Sequence, residues 1–151
     1  MPTVIRPFQE SDTDAVTALW REAFPGESPR NQPAAIIRQK QAVQPELFLV
    51  GERAGRIVAT VVAGYDGHRG WLYHVAVAAT ARRTGIGRAM VAEAETRLRA
   101  LGCPKVNLQV MRANAAVVRF YERLGYTVED RISMGKVLTQ GSHSAAAPND
   151  E

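Results

Sequence analysis

The apolar positions of the chain follow two repeating patterns, one typical of helices and one typical of strands. Apolar residues three and four apart predict a first helix, capped at 11–12, that carries Ala15, Val16, Leu19 and Trp20. Further helices are predicted at 34–42, 85–101 and 115–124, and strands at 3–6, 47–50, 57–63, 71–77, 105–111 and 131–138. This order predicts a single α/β domain with a mixed sheet.

The pattern is lost near the C-terminus, which separates a domain from a tail. Residues 141–151 are small, polar and without periodicity, so we expect them to be disordered. Residues 3–140 form one predicted domain, since neither a repeat nor a linker interrupts them. A concentration of glycine and proline at 24–33 predicts a surface loop within that domain.

Composition narrows the class of protein without giving a function. The chain has 151 residues, of which 46% are hydrophobic, and its net charge is +4. This composition suits a globular domain and lacks the dense basic surface of a dedicated nucleic-acid binder. No apolar run is long enough to span a membrane, and the N-terminus lacks an apolar leader, which predicts a cytoplasmic protein. The single cysteine, Cys103, excludes an intramolecular disulfide and a cysteine metal cluster, and we expect no metal.

The segment 82–88, Arg-Arg-Thr-Gly-Ile-Gly-Arg, carries the strongest chemical signal in the sequence. It lies where a predicted strand gives way to a helix, so unpaired N–H groups at the helix N-terminus can meet an anion. Gly85 and Gly87 allow close approach of the backbone, and the three arginines add donors for phosphate oxygens. The spacing fits neither a dinucleotide fingerprint nor a Walker A loop. Two interpretations remain, an anion-binding loop and a tight turn with solvated arginines.

Two motifs together resemble those of the GNAT superfamily of acetyl-CoA-dependent N-acetyltransferases. Arg82-x-x-Gly85-x-Gly87 resembles the family's pyrophosphate loop, and residues 114–126 resemble its N-x-x-A-x-x-F/L-Y-E-x-L-G-F/Y segment. Residues 64–70 are also similar to a branch of small bacterial GNAT enzymes, a resemblance that implies no particular acceptor. The fold that these likenesses imply is α+β, with a mixed, mostly antiparallel sheet, about four flanking helices and two splayed central strands.

The resemblance implies that acetyl-CoA lies between the splayed strands 71–77 and 105–111. Tyr121 corresponds to the family's tyrosine that protonates the departing thiolate, although its helical spacing also suits a core residue. Asn114 corresponds to a cofactor contact and is a good cap for its helix. Contacts to acetyl-CoA are expected from Val75, Ala76, Val77, Arg82, Arg83, Thr84, Gly85, Ile86, Gly87, Arg88, Asn114 and Tyr121. One N–H of the first splayed strand would stabilise the oxyanion.

The sequence leaves the identity of the general base open. In the ribosomal-protein N-terminal acetyltransferases, which this region resembles, a glutamate serves, and Gln109 stands at that position. Because an amide cannot accept the proton, that substrate class is in doubt. His74 is the first candidate, followed by Asp66 and His68, and each is more often a structural residue. A water relay or an amine that arrives neutral would need no side-chain base.

The sequence therefore predicts an N-acetyltransferase that moves an acetyl group from acetyl-CoA to a primary amine, either a small molecule or a protein amine. Acceptor contacts are expected from 24–33, 66–69 and the last strands. The alternative is a GNAT-like module that binds acyl-CoA without turnover, as a sensor or partner subunit. Neither a membrane nor nucleic acid is an expected partner, and the sequence allows a homodimer through exposed strands or the C-terminal segment.

Overall fold

The computed structural model describes residues 2–139, so the predicted tail at 141–151 lies outside the described residues. Five strands and four helices follow one another in the order β1 Thr3–Pro7, α1 Thr13–Ala23, α2 Pro33–Ala42, β2 Phe48–Arg53, β3 Arg56–Tyr65, β4 Gly70–Val77, α3 Ile86–Ala100, β5 Val106–Leu108 and α4 Ala115–Arg123. All four predicted helices are present.

The strands form one sheet in chain order, β1-β2-β3-β4-β5. The pairs from β1 to β4 are antiparallel, and β4 pairs with β5 in parallel because α3 forms the crossover between them. The turn of the β2–β3 hairpin uses Ala54 and Gly55, both with positive φ, which matches the natural twist of the strands. The mixed, mostly antiparallel sheet predicted from the sequence is confirmed.

The sheet has a hydrophobic core on each face, since side chains alternate along each strand. Along β3, Val61 and Ala63 join the cluster with α3 and α4, whereas Val62 points to the opposite face. There the Trp20 indole of α1 stacks on Phe48 with ring centroids 5.6 Å apart. Helices α1 and α2 therefore cover one face and α3 and α4 the other.

The prediction of a strand at 131–138 is wrong. Residues 124–139 form no strand, and the Ile132 and Met134 side chains are 89% and 90% exposed. The adjacent β5 is only three residues long, so it offers little edge for a backbone ladder. The segment is joined to the chain after β5 by a side-chain contact, from Gln109 Nε2 to Ser133 Oγ at 2.6 Å. The predicted strand 105–111 shortens for a related reason, because the chain leaves the β4 ladder after Leu108.

The predicted cap of α1 has a different role. The Asp12 carboxylate accepts hydrogen bonds from Arg6 at 2.8 and 3.0 Å and from the Gln9 N–H at 2.8 Å, and makes no side-chain bond to the α1 N-terminus. Arg6 also pairs with Glu52 of β2 at 2.9 Å. The Arg6 hydrogen bonds hold the pKa of the 7% exposed Asp12 below its usual range. This ion-pair network ties β1 to β2 and to the start of α1.

Candidate active site

Strand β4 extends well beyond the end of its ladder with β5. Their ladder runs from Gly70 opposite Val106 to Leu72 opposite Leu108, while β4 continues to Val77. From Tyr73 onward, the edge of β4 that faces away from β3 pairs with no other described strand. The chain after Leu108 no longer pairs with β4, so residues 75–77 lie along an open edge at the place where the sequence resemblance implied two splayed strands.

A β-bulge lies at the start of that open edge. The register of β4 on β3 shifts between the pairs Thr60–Ala76 and Val62–Tyr73, which leaves an extra residue on β4. His74 occupies the bulge with φ of 48°, an uncommon backbone conformation for a residue with a side chain. Its carbonyl accepts a hydrogen bond from Thr60 Oγ1 at 2.9 Å.

The bulge is held by a buried chain of hydrogen bonds. The Trp20 Nε1–H donates to Thr60 Oγ1 at 2.8 Å, and that hydroxyl in turn donates to the His74 carbonyl. Thr60 is fully buried and Trp20 is 1% exposed, so water does not compete for these bonds. The backbone geometry at the open edge therefore depends on a helix and a strand that the sequence motifs do not include.

Residues 82–88 complete the connection from β4 to α3 and include the N-terminus of that helix. The first helical bond of α3 runs from the Ala89 N–H to the Gly85 carbonyl at 3.1 Å, so the N–H groups of the preceding helical residues lie ahead of the ladder. These residues are Ile86, Gly87 and Arg88. Free N–H groups and the positive end of the helix favour an anion at this place.

The two loop glycines have different reasons to be glycine. Gly85 has φ of +82°, which side chains rarely tolerate, and its position opens onto free space. A Cβ on Gly87 would lie 3.3 Å from Phe120 Cζ and 3.5 Å from Val77 Cγ2, so this glycine lets α3 pack closely on α4 and the end of β4. The first leaves room for a ligand, and the second sets the position of the helix.

Charged and polar side chains surround the same loop. Arg82, Arg83 and Arg88 are exposed, and Arg83 adopts φ of 63°, the left-handed region that glycine usually fills. The Thr84 hydroxyl donates to the Ala81 carbonyl at 2.5 Å and accepts from Arg53 of β2 at 3.4 Å. Arg53 therefore adds a cation that the loop motif did not reveal, and the residues present suit a phosphate-bearing ligand.

Helix α4 places the second motif against α3 and β4. The Asn114 side chain accepts a hydrogen bond from the Val117 N–H at 3.3 Å, which confirms its role as the cap. Tyr121 is 8% exposed and contacts Phe120 and Tyr126 edge-on, with centroids 5.0 and 5.6 Å apart. Burial raises the pKa of Tyr121 to about 12, so the phenol keeps its proton at neutral pH.

The candidate bases differ in their surroundings. The His74 ring packs against Trp20 and Phe24, with centroids 4.7 and 4.9 Å away, and burial lowers its pKa to about 4. Asp66 instead accepts hydrogen bonds from the N–H groups of His68 and Arg69, at 2.8 and 2.7 Å, in the exposed turn that joins β3 to β4. That turn borders the paired end of β4, before the bulge, so His74 is the candidate at the open edge.

Comparison with known proteins decides the family. The model of the acetyltransferase (GNAT) family matches residues 13–126. The chain belongs to the GNAT family of acetyltransferases. An acetyltransferase of Yersinia enterocolitica is 44% identical over 134 residues, which cover 89% of this chain and 94% of the relative. An acetyltransferase of Pectobacterium atrosepticum is 43% identical over 136 residues, covering 90% of this chain and 96% of that one.

Solved structures confirm the GNAT fold. Ard1 from Thermoplasma volcanium superimposes with a TM-score of 0.77 at 25% identity, over 85% of each chain. The ribosomal-protein-S18-alanine N-acetyltransferase from Escherichia coli has a TM-score of 0.67 at 21% identity, over 82% of this chain and 77% of its own. The second likeness concerns the fold alone. In the part of this GNAT chain that the structure describes, no helix is long and apolar enough to cross a membrane.

Two cavities of the GNAT domain meet at the β4 bulge, on the face covered by α1 and α2. One, of about 330 Å³, lies under the loop between these helices and is lined by residues that include Phe24, Glu27 and His74. The other, of about 290 Å³, is lined by residues that include Lys40, Tyr73 and His74. The sequence predicted the first loop as an acceptor contact, and it missed Lys40, whose position depends on how α2 packs.

Proposed function

We propose that this GNAT protein transfers an acetyl group from acetyl-CoA to a primary amine by direct attack in a ternary complex. The observation that carries the proposal is the open edge of β4, which leads directly to the N-terminus of α3 and its arginines. An extended chain of amides that ends in a pyrophosphate suits this arrangement, because amides can pair with a strand edge and phosphates with helix N–H groups.

Acetyl-CoA would supply an acyl group activated as a thioester. In the proposed reaction, an N–H of residues 75–77 donates to the thioester oxygen and stabilises the negative charge that develops there. The cavities bring the amine to the bulge, which supplies proximity and orientation. Tyr121 gives its proton to the departing sulfur and regains one from solvent, and its raised pKa ensures that the phenol is protonated at neutral pH when the next cycle begins.

The surplus proton of the amine needs an exit, and we propose His74 as its first acceptor. The lowered pKa leaves the imidazole neutral at pH 7, with a lone pair free to accept a proton. The same burial makes the imidazole a weak base, so we expect it to pass the proton to water rather than hold it. Gln109, which donates to Ser133, has no part in this step.

Calorimetric titration with acetyl-CoA tests the binding part of the proposal. A Gly85→Glu variant places a carboxylate where free space opens beside the α3 N-terminus and should abolish micromolar binding. Gly102→Glu is a matched control, because Gly102 also has positive φ, at +88°, and also opens onto free space, at the opposite end of the same helix. Equal affinity of both variants, with both folded, would contradict the proposed site.

Release of free thiol from acetyl-CoA, followed with a panel of primary amines, tests turnover. A catalyst releases thiol in proportion to the acetylated amine formed. The alternative, a module that binds acyl-CoA without turnover, would bind in the calorimeter and release no thiol with any amine. The Tyr121 side chain lies in the core cluster against which Val75 and Val77 of β4 pack, and this position favours the catalyst.

We further propose that the protein acts in the cytoplasm and forms a homodimer through the segment after α4. Large apolar side chains of this segment are exposed, including Val128 at 74%, Ile132 at 89%, Met134 at 90% and Leu138 at 85%. Light scattering on the purified protein checks the assembly. We expect twice the chain mass, and a monomer after Ile132 and Met134 are both replaced by serine.

A further inference from the structure

The ammonium group of Lys40 lies close to the sheet at Gly64 of β3. Helix α2 lies over β3, and a Cβ built on Gly64 would be 3.8 Å from Lys40 Nζ. The chain after α2 is fixed by Gln44, whose amide donates to the Tyr65 carbonyl at 3.0 Å and accepts from the Tyr65 N–H at 2.9 Å. The last turn of α2, which carries Lys40, is therefore held at a defined place over β3.

The Lys40 ammonium group has no hydrogen-bonding or ion-pair partner among the described residues, 2–139. Partial burial lowers the pKa of Lys40, and the negative charge of Glu46 opposes that change. A partly buried cation without a partner is unfavourable in the free protein, so an anion from outside would gain from pairing with it.

Lys40 and the β4 bulge share one space. The cavity of about 290 Å³ is lined by Lys40 together with Tyr73 and His74, which the bulge presents next to each other. The neighbouring cavity of about 330 Å³ also borders Asn31 and His74. A ligand in this space could therefore place an anionic group at Lys40 and its other end at the open edge of β4.

We propose that the acceptor is a small primary amine that also carries an anionic oxygen group, a carboxylate or a phosphate, and that Lys40 binds this group while the amine faces the bulge. This inference rests on the proposed function and narrows it. The space is that of a small ligand, and the charge at the end away from β4 is positive. Lys40 would be a specificity-determining residue with no part in the acyl transfer itself.

Sets of matched amines test the proposal. Each set contains an α-amino acid, its aminoalkylphosphonate analogue, its carboxamide and the parent alkylamine. Initial rates of thiol release give kcat/KM for each compound. The carboxamide has the more easily deprotonated amine, so intrinsic reactivity favours it over the acid. A preference for the acid would therefore come from binding. Saturation-transfer NMR with the same compounds, in the presence of CoA, reports binding independently of turnover.

Three variants locate the effect. Lys40→Met removes the charge and keeps the length of the side chain, Lys40→Arg keeps the charge, and Arg38→Met removes an exposed cation from the same helix as a control. We expect the best anionic acceptor to lose about 10- to 100-fold in kcat/KM, mainly through KM, in Lys40→Met alone. We also expect this variant to melt no lower than the wild type, because it removes a cation without a partner.

The outcomes separate the inference from the function on which it rests. An anionic advantage that Lys40→Met removes supports the inference, and the better of the carboxylate and phosphonate series identifies the group. Equal rates for charged and neutral amines, or a preference that survives Lys40→Met, overturn the inference and leave the acetyltransferase proposal intact. Binding of acetyl-CoA with neither turnover nor Lys40-dependent NMR binding of any anionic compound also overturns it. Failure to bind acetyl-CoA refutes the proposed function itself.

Discussion

Replacing Tyr121 by phenylalanine separates a catalytic role for its hydroxyl from a role for its ring in packing. The ring contacts Phe120 and Tyr126, and the phenylalanine would keep both contacts. The hydroxyl makes no hydrogen bond with another residue in the described part of the chain, so its loss removes none from the fold. We therefore expect the free energy of unfolding to change by no more than about 0.5 kcal/mol.

Activity should respond differently. If Tyr121 supplies the proton to the departing sulfur, its removal should lower kcat about 100-fold, the lower end of the usual range for general-acid catalysis. The affinity for acetyl-CoA should stay within about twofold, since the pyrophosphate loop and the β4 edge are untouched. Thiol release gives kcat, calorimetry gives the affinity and urea unfolding gives the stability.

Tyr126→Phe is the matched control, because the rings of Tyr121 and Tyr126 are in contact and their hydroxyl groups differ in hydrogen bonding. The Tyr126 hydroxyl donates to Glu95 Oε2 at 2.6 Å. Its loss should therefore cost about 1.5 to 3 kcal/mol of stability, typical of a hydrogen bond to a charged group, and leave kcat near the wild-type value. A Tyr121→Phe enzyme with kcat within threefold of the wild type, or with stability lost in parallel with activity, would refute the assigned role.

Two further predictions concern the buried polar contacts. Thr60→Val should cost about 3 kcal/mol in urea unfolding, because the Trp20 N–H and the His74 carbonyl would each lose a buried partner; a cost below about 1 kcal/mol would mean that the bulge does not depend on them. Asp12 has a lowered pKa, mainly through its hydrogen bonds with Arg6, so its stabilising effect is present above the unfolded-state pKa of about 3.9 and is lost as pH falls through the lower folded value. Asp12→Asn should therefore melt lower than the wild type at pH 7, and the two melting curves should converge in strong acid; a constant difference at all pH values would contradict this.

The sequence predicted the elements whose signals are local. Helix α3 has apolar residues on one face and ends at Gly102, and its N-terminal loop carries the glycines and arginines together, so both were readable. Residues 131–138 alternate like a strand, but a strand exists only beside a partner, and the three-residue β5 gives little edge. Local pattern cannot report the length of a distant neighbour.

The features of the site that the sequence did not predict depend on packing between secondary-structure elements. The bulge at His74 arises from a one-residue difference between β3 and β4, which the alternation of either strand alone does not record. Lys40 belongs to a helix with a weak apolar face, and its ammonium group lies close to Gly64 of β3, a proximity that neither segment records by itself. Both features lie outside the two motifs by which the family was recognised.

The open edge of β4 also bears on how the protein survives in a cell. Unpaired strand edges are templates for pairing with other chains, and natural proteins usually cover them. Here the edge that faces away from β3 follows the bulge and has no strand beside it in the described chain. A bound ligand that covers this edge would stabilise the fold by mass action and also block edge-to-edge association. The supply of the acyl donor would then set not only the rate of the enzyme but also how long each molecule escapes aggregation and proteolysis.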